Sequence, residues 1–383
     1  MKLKIYSLIS LCMVMAAIVG FCYIKQQETI IVGLNLALSG EEQAHGESTE
    51  RGIILAKNQL NAKGGLLGRP VKLVSVDNHG KPDDAAIAVQ QLNMRHVAAI
   101  IGPNEHDCAA AAIPYIVDKK IPMISPAGTA EDITVDTQQN TVYPYVFRMA
   151  FLNSQQGNII ASYAMEMCKA KKIAIFYDDT EPSQELAGHV KKAIEQHGGE
   201  VLRYQQISDG ESLAASISAL QDCQAVYMPV DQDKAAAWIP YLRDSHIACP
   251  VLGTASWQGE ILAANLQEGY LKNVFYISQY AADVHDTLSE EFAENYYEMY
   301  GELPDTYAAL GYDSFMLLAK AVEAGQSVTG RDIIHQLMQM DSYRGVTGDC
   351  RFDEKHNPNK PGYILTFWGK DPIILGKHHA ADI

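Results

Sequence analysis

An α/β protein of two similar lobes, each a parallel sheet covered by helices on both faces, is the fold this sequence predicts. Three observations lead to it. Strand-like apolar runs alternate with helix-like periodic stretches from residue 29 onward, and such alternation builds parallel sheets buried on both sides. The pattern stops near Arg148 and restarts near Gln155, so the same design is built twice. Finally, 383 residues, 48% of them hydrophobic and 20% charged, suffice for two domains of ordinary size.

Taken in order, TIIVGLNLAL (29–38) reads as a strand. ESTERGIILAKNQLNAKGG (47–65) reads as a helix with Ile53, Ile54 and Leu60 on one side and Gly64 as its stop. RPVKLVSVDN (69–78) is a strand. PDDAAIAVQQLNM (82–94) is a helix opened by Pro82, with two acids suited to its N-terminal dipole. VAAIIGP (97–103) is a strand, CAAAAIPYIVDKK (108–120) mostly helix, and IPMIS (121–125) a strand. After Gln155, helices alternate with the strands KKIAIFYDD (171–179), EVLRYQQI (200–207), QAVYMPV (224–230) and CPVLG (249–253). A third block holds NVFYISQY (273–280), helices within 289–301 and 304–325, and terminal strands within 346–354 and 362–368. No short repeat or low-complexity tract interrupts this order.

The first 26 residues stand apart. Lys2 and Lys4 precede an uncharged run from Ile5 to Ile24, and Lys25 follows. A basic start before an apolar run is an export signal. This run is also nearly long enough to span a bilayer. Cys22 suggests lipidation, but Phe21 stands where a lipidation site takes a small residue. Cleavage, lipidation and retention as an anchor stay open, and the chain after Gln26 is expected to be soluble. The net charge of −16 and a pI near 5.1 exclude nucleic acid as a partner, because no counterion release rewards an acidic surface. Of seven cysteines, none forms C-x-x-C or pairs with His at zinc spacing. Cys223 and Cys249 precede two strands; if these are neighbours, the thiols form either a disulfide or two buried free thiols.

IPMISPAGTAEDIT (121–134) begins as a buried strand and empties into the small residues Ser125, Pro126, Ala127, Gly128 and Thr129. In open parallel sheets, ligands bind beyond the carboxyl ends of the strands. The other loops at those ends are small and polar as well: LSGEEQAHG, GPNEHDC, YDDTEPSQ, PVDQD and GTASW. Helices follow several of them, so backbone N–H groups converge on one crevice suited to an anionic group. Small side chains let a ligand reach the main chain.

From NAKGGLLGRPVKLVSVDNHGKPDDA onward the sequence resembles the type I periplasmic solute-binding proteins, in the branch containing the leucine/isoleucine/valine-binding proteins of ABC importers. IIGP, IPMISPAGT, FRMAFLNSQQG, YAALGYDS and GVTGDCRFDEKHNPNKPGYIL carry the resemblance in that order. It covers nearly all of the chain after the leader. It implies two Rossmann-like lobes joined by three crossovers and closing on a small ligand. The expected first lobe is 27–150 plus 279–345, and the second 151–278 plus 346–383, with 1–26 as signal peptide or membrane anchor. The resemblance also implies that the position of His106 meets the ligand carboxylate. The SPAGT loop then supplies backbone contacts and a hydroxyl through Ala127, Gly128 and Thr129. In the second lobe the pattern departs: Ala255 stands where an acid usually holds the ligand ammonium, and Pro182 where an aromatic often sits. A buried ammonium without a charge partner is costly. Either Asp231 substitutes, or the ligand lacks an amine.

Each candidate has a plainer reading. Thr129 and Ser125 suit helix capping. His106 and His45 suit solvent-facing loops, the latter near the cleft edge, and Asp231 suits a solvated loop. Trp257 serves equally as cleft wall or core. Tyr307 and Tyr312, five apart on a helix, read as packing. No G-x-S-x-G, H-E-x-x-H or phosphate-loop motif occurs, and His106–Asp107–Cys108 are chain neighbours that do not converge as a triad. The expectation is a non-enzymatic, extracytoplasmic binding protein that needs no cofactor. Its partners would be a small amino acid or related carboxylate and the subunits of an ABC permease. The alternative is a ligand sensor, tethered through an uncleaved leader and acting through a separate signalling protein.

Overall fold

A computed structural model describes residues 29–217, 220–282 and 286–379; the leader expected over residues 1–26 lies outside them. The first lobe is built on a five-stranded, all-parallel sheet. Its strands lie in the order Val71–Asp77, Ile30–Leu36, Ala99–Ile101, Met123–Ser125, Val146–Arg148. The second lobe holds seven strands in the order Asp371–His378, Gly362–Trp368, Val274–Ser278, Val251–Gly253, Ala225–Tyr227, Lys172–Tyr177, Glu200–Gln206. The last five of that order run parallel, while Gly362–Trp368 and Asp371–His378 add as antiparallel edge strands. Every sheet-centre strand of three residues is wholly buried, for instance Ala99–Ile101 and Val251–Gly253, as strands covered on both faces must be. Two apolar clusters flank each sheet, one on either face.

Two helices far apart in sequence fix the face of the first lobe that looks onto the cleft. Helix Gln43–Ala62 packs on helix Thr306–Gly325. A Cβ on Gly52 would fall 1.9 Å from the Ala308 carbonyl oxygen, and one on Gly311 2.4 Å from that of Thr49. Only glycine permits so close an approach. The crossing brings the first turns of the two helices together, and there His45 stacks on Tyr307 at 4.1 Å and 14°.

The chain changes lobes after Arg148, after Ser278 and just before Gly362. The third change corrects the boundary expected at 346. Residues 343–359 form a small antiparallel sheet that packs on the first lobe. His356 stacks on Phe147 at 4.0 Å and donates from Nδ1 to the Val146 carbonyl at 2.9 Å. Thr134 Oγ1 lies 2.8 Å from Asn357 Oδ1. These contacts hold the segment to the first lobe's last strand, so the second lobe resumes near residue 360.

Candidate functional site

Between the lobes lies a cavity of about 590 Å³. From the first lobe it is walled by Glu42, His45, Ala127, Thr129 and Tyr307, and from the second by Gln156, Asp178, Pro182, Asp231 and Ser256, among others. A second space of about 400 Å³ adjoins it, sharing Ala127, Thr129, Asn153 and Pro182. This outer vestibule is lined by the carboxylates Glu131, Asp132, Glu181 and Glu185 and by His106.

The loop after Met123–Ser125 forms the common wall. Ser125 Oγ is spent internally, donating to the Pro103 carbonyl at 2.7 Å in full burial. The short helix Glu131–Ile133 is preceded by Ala130 and has no side-chain cap, so neither Ser125 nor Thr129 caps it. Among the described residues, no hydrogen bond uses the N–H groups of Ala127, Gly128 or Thr129 or the Thr129 hydroxyl; the Thr129 carbonyl accepts from Asn153 N at 3.1 Å. Free donors at a strand's carboxyl end can hold an anionic group.

His106 is the first residue of helix His106–Lys119 rather than a loop residue. Its Nε2 lies 2.8 Å from Asp132 Oδ1 and its Nδ1 3.1 Å from Asp107 Oδ1, which fixes the ring in the vestibule wall. It does not line the inner cavity. His45 does. It sits in the first turn of a helix that begins at Gln43, four residues before the expected start, and contacts Glu42 Oε2 at 2.7 Å. This hydrogen bond holds the Glu42 carboxyl below its usual range against the opposing pull of burial. The Glu105 carboxyl nearby is buried with no hydrogen-bond partner on either oxygen among the described residues, and burial pushes it above the ordinary carboxylate range.

Asp231 lines the inner cavity but also caps helix Gln232–Asp244, accepting from Lys234 N at 2.8 Å. Beside it, Asp178 accepts from Lys234 Nζ at 2.6 Å and from the Thr180 hydroxyl and amide. Burial alone would raise the Asp178 carboxyl, yet these bonds hold it below the usual range. Ala255 contributes its backbone, N–H to Gln156 Oε1 at 2.9 Å.

Trp257 is core and not part of this cavity. It is 3% exposed, and its indole N–H donates to the Val230 carbonyl at 2.8 Å. The ring lies flat under Gly253, where a Cβ would meet it at 2.2 Å. Once the indole N–H has a buried acceptor, burying the large apolar ring is the favourable outcome. Tyr307, read as packing, instead faces the inner cavity through its place in a helix's first turn. Tyr312 does pack, 8% exposed with its hydroxyl on Gln59 Oε1 at 2.7 Å. Cys223 and Cys249 are both free thiols, and Cys223 Sγ lies 2.9 Å from the Ala225 carbonyl.

Known proteins share this architecture. Leu/Ile/Val-binding protein homolog 1 of Brucella abortus (strain 2308) is 24% identical over 347 residues, covering 89% of this chain and 91% of the relative. The branched-chain amino acid transporter substrate-binding protein LivJ of Streptococcus pneumoniae, solved with isoleucine, is 27% identical. It matches with a TM-score of 0.77, covering 92% of this chain and 99% of that one. A solute-binding protein of an R. palustris ABC transporter, solved with benzoate, is 25% identical with a TM-score of 0.74, covering 91% and 96%. A family model described as periplasmic binding protein matches residues 29–371. A match over so much of the chain, on a fold with two parallel-sheet lobes around a cleft, makes this chain a member of the periplasmic binding protein family.

Proposed function

We propose that this protein is the extracytoplasmic solute-binding component of an ABC importer, without catalytic activity, that closes its two lobes on a small amino acid or related carboxylate. One observation carries the reading. The inner cavity is walled by both lobes, and its first-lobe wall carries Ala127 and Thr129, whose N–H groups, with the Thr129 hydroxyl, are unused among the described residues; Gly128 between them faces the adjoining vestibule. A carboxylate fits those donors. Closure would then bring Asp178, Asp231 and Ser256 onto the rest of the ligand and create a surface for the permease to recognise. The acids on the second-lobe side already have partners of their own: Asp178 holds Lys234, and Asp231 caps its helix. An amine on the ligand would therefore have to share Asp231 with the helix terminus.

The test is a thermal-shift screen of residues 26–383 against amino acids and small carboxylates, since a ligand that binds only the native state raises the melting point. Hits among aliphatic amino acids are expected if Asp231 takes the ammonium. Hits confined to amine-free acids assign the ligand to the carboxylate class that Ala255 favours. Stabilisation by neither class removes the reading.

A further inference from the structure

Arg148 ends the last strand of the first lobe, and its side chain runs beneath the Ala127–Thr129 loop. It is 0% exposed. Its contacts are neutral oxygens: Nη1 donates to the Gly128 carbonyl at 3.3 Å, and Nη2 to the Glu131 carbonyl at 3.4 Å and Thr134 Oγ1 at 3.5 Å. Nε has no partner among the described residues. Glu131, Asp132, Asp353 and Glu185 act on the guanidinium only from a distance, and burial pushes it down to about 10. A buried cation whose contacts are all neutral is expensive for a fold to keep, and lobe packing alone does not require a charge there.

The peptide geometry gives the charge a use. A trans peptide is planar, with its C=O and N–H pointing to opposite sides. Arg148 grips the Gly128 oxygen from below, so the N–H of the same peptide unit, that of Thr129, points away from the core. Thr129 lines both the inner cavity and the vestibule, and its N–H is unused among the described residues. The loop packs so closely at Gly128 that there is no room for a side chain: a Cβ there would meet Ile133 Cδ1 at 2.4 Å and Ser125 Oγ at 2.7 Å.

We propose that Arg148 is a positioning residue for binding: from beneath the loop it orients and polarises the Gly128–Thr129 peptide so that the Thr129 N–H receives a carboxylate in the cleft. The ligand's charge then sits one peptide unit above the guanidinium and supplies the counter-charge that its neutral contacts do not. This inference rests on the reading of the cleft as a carboxylate site.

Two matched pairs of probes test it by calorimetric titration: L-isoleucine against L-isoleucinamide, and benzoate against benzamide. Arg148→Gln keeps a donor for the Gly128 oxygen but removes the charge. Its carboxylate-over-amide preference is expected to fall about tenfold from wild type, the scale of a partly screened charge a few ångströms away. A variant that melts earlier yet keeps the wild-type preference reduces Arg148 to a structural role and overturns the proposal. A wild type with no preference for either carboxylate removes the functional reading first, and this inference with it. Should Arg148→Gln fail to fold, wild-type protein labelled with ¹⁵N-threonine decides. The Thr129 amide resonance is expected to shift on adding the preferred carboxylate and to stay put with its amide, and a resonance indifferent to both overturns the proposal.

Discussion

Thr129 concentrates what this molecule offers a ligand. Its carbonyl is tied to Asn153 across the cleft, while its N–H and hydroxyl are unused among the described residues. Thr129→Ala is expected to weaken carboxylate binding by about 1–2 kcal/mol, the worth of one lost buried hydrogen bond, with an unchanged melting point for the ligand-free protein. Titration calorimetry reads the first and a thermal melt the second; unaltered affinity takes the hydroxyl out of the site. The place of Thr129 on the cavity wall was legible in the sequence, because a strand that empties into small residues leaves its backbone open. Arg148 was read only as the place where the first run of alternation stops. Nothing along the run YVFRMAF says that its one cation is buried, or beneath which loop it runs. Trp257 was not legible at all, because an aromatic after a strand serves a cleft or a core equally well until the indole finds its acceptor, here the Val230 carbonyl.

At the scale of elements, strand–helix alternation gave most of both sheets, since burial on two faces leaves a continuous apolar run at each strand. What it could not give was contact between segments far apart in sequence. The crossing of Gln43–Ala62 on Thr306–Gly325 is of that kind, and it makes Tyr307 a cavity residue by stacking it on His45. The crossing depends on Gly52, whose missing side chain admits the Ala308 carbonyl. Gly52→Ala forces a methyl against backbone, which cannot rotate aside. It is expected to cost about 1–3 kcal/mol, the usual range for overpacking a core. Urea unfolding checks this through a lowered midpoint with an unchanged slope. The same variant should also bind more weakly, because the helices can part only by pulling His45 from Tyr307. A midpoint equal to wild type would mean that the two helices have room to spare.

For the whole molecule, the question is what holds two lobes at a workable angle. Part of the answer lies at the third crossover, in a buried chain of polar groups that no periodicity announces. Asp313, 0% exposed, accepts from Val346 N, Thr347 N, Thr347 Oγ1 and the Tyr343 hydroxyl. Lys360, also 0% exposed, donates to Thr347 Oγ1 at 2.7 Å and to the Met149 carbonyl at 3.4 Å. The Thr347 hydroxyl thus relays between a buried anion and a buried cation and ties the third crossover to the first. Gln279 does the same for the second, its Oε1 accepting from Phe151 N at 2.8 Å. Burial pushes the Lys360 ammonium down to about 8 from 10.5, with Asp313 and Cys350 opposing the shift. Because its folded value lies below its unfolded one, the unfolded chain binds more protons between about pH 8 and 10.5. Its contribution to stability therefore rises across that window and is least favourable below it. Against Lys360→Met, which cannot titrate, wild type should gain up to about 3 kcal/mol between those limits; Cys350 and Tyr343, both pushed up by burial, are present in both proteins. Below pH 8 the variant still leaves Asp313 without its cation and is expected to be less stable than wild type by about 3 kcal/mol, part of which Asp313→Asn in the same chain should restore. Urea unfolding at pH 7, 8, 9 and 10 measures both effects. Parallel stability profiles for wild type and Lys360→Met would mean that Lys360 keeps its ordinary basicity in the folded chain, and that burial at the crossover does not weigh on its charge.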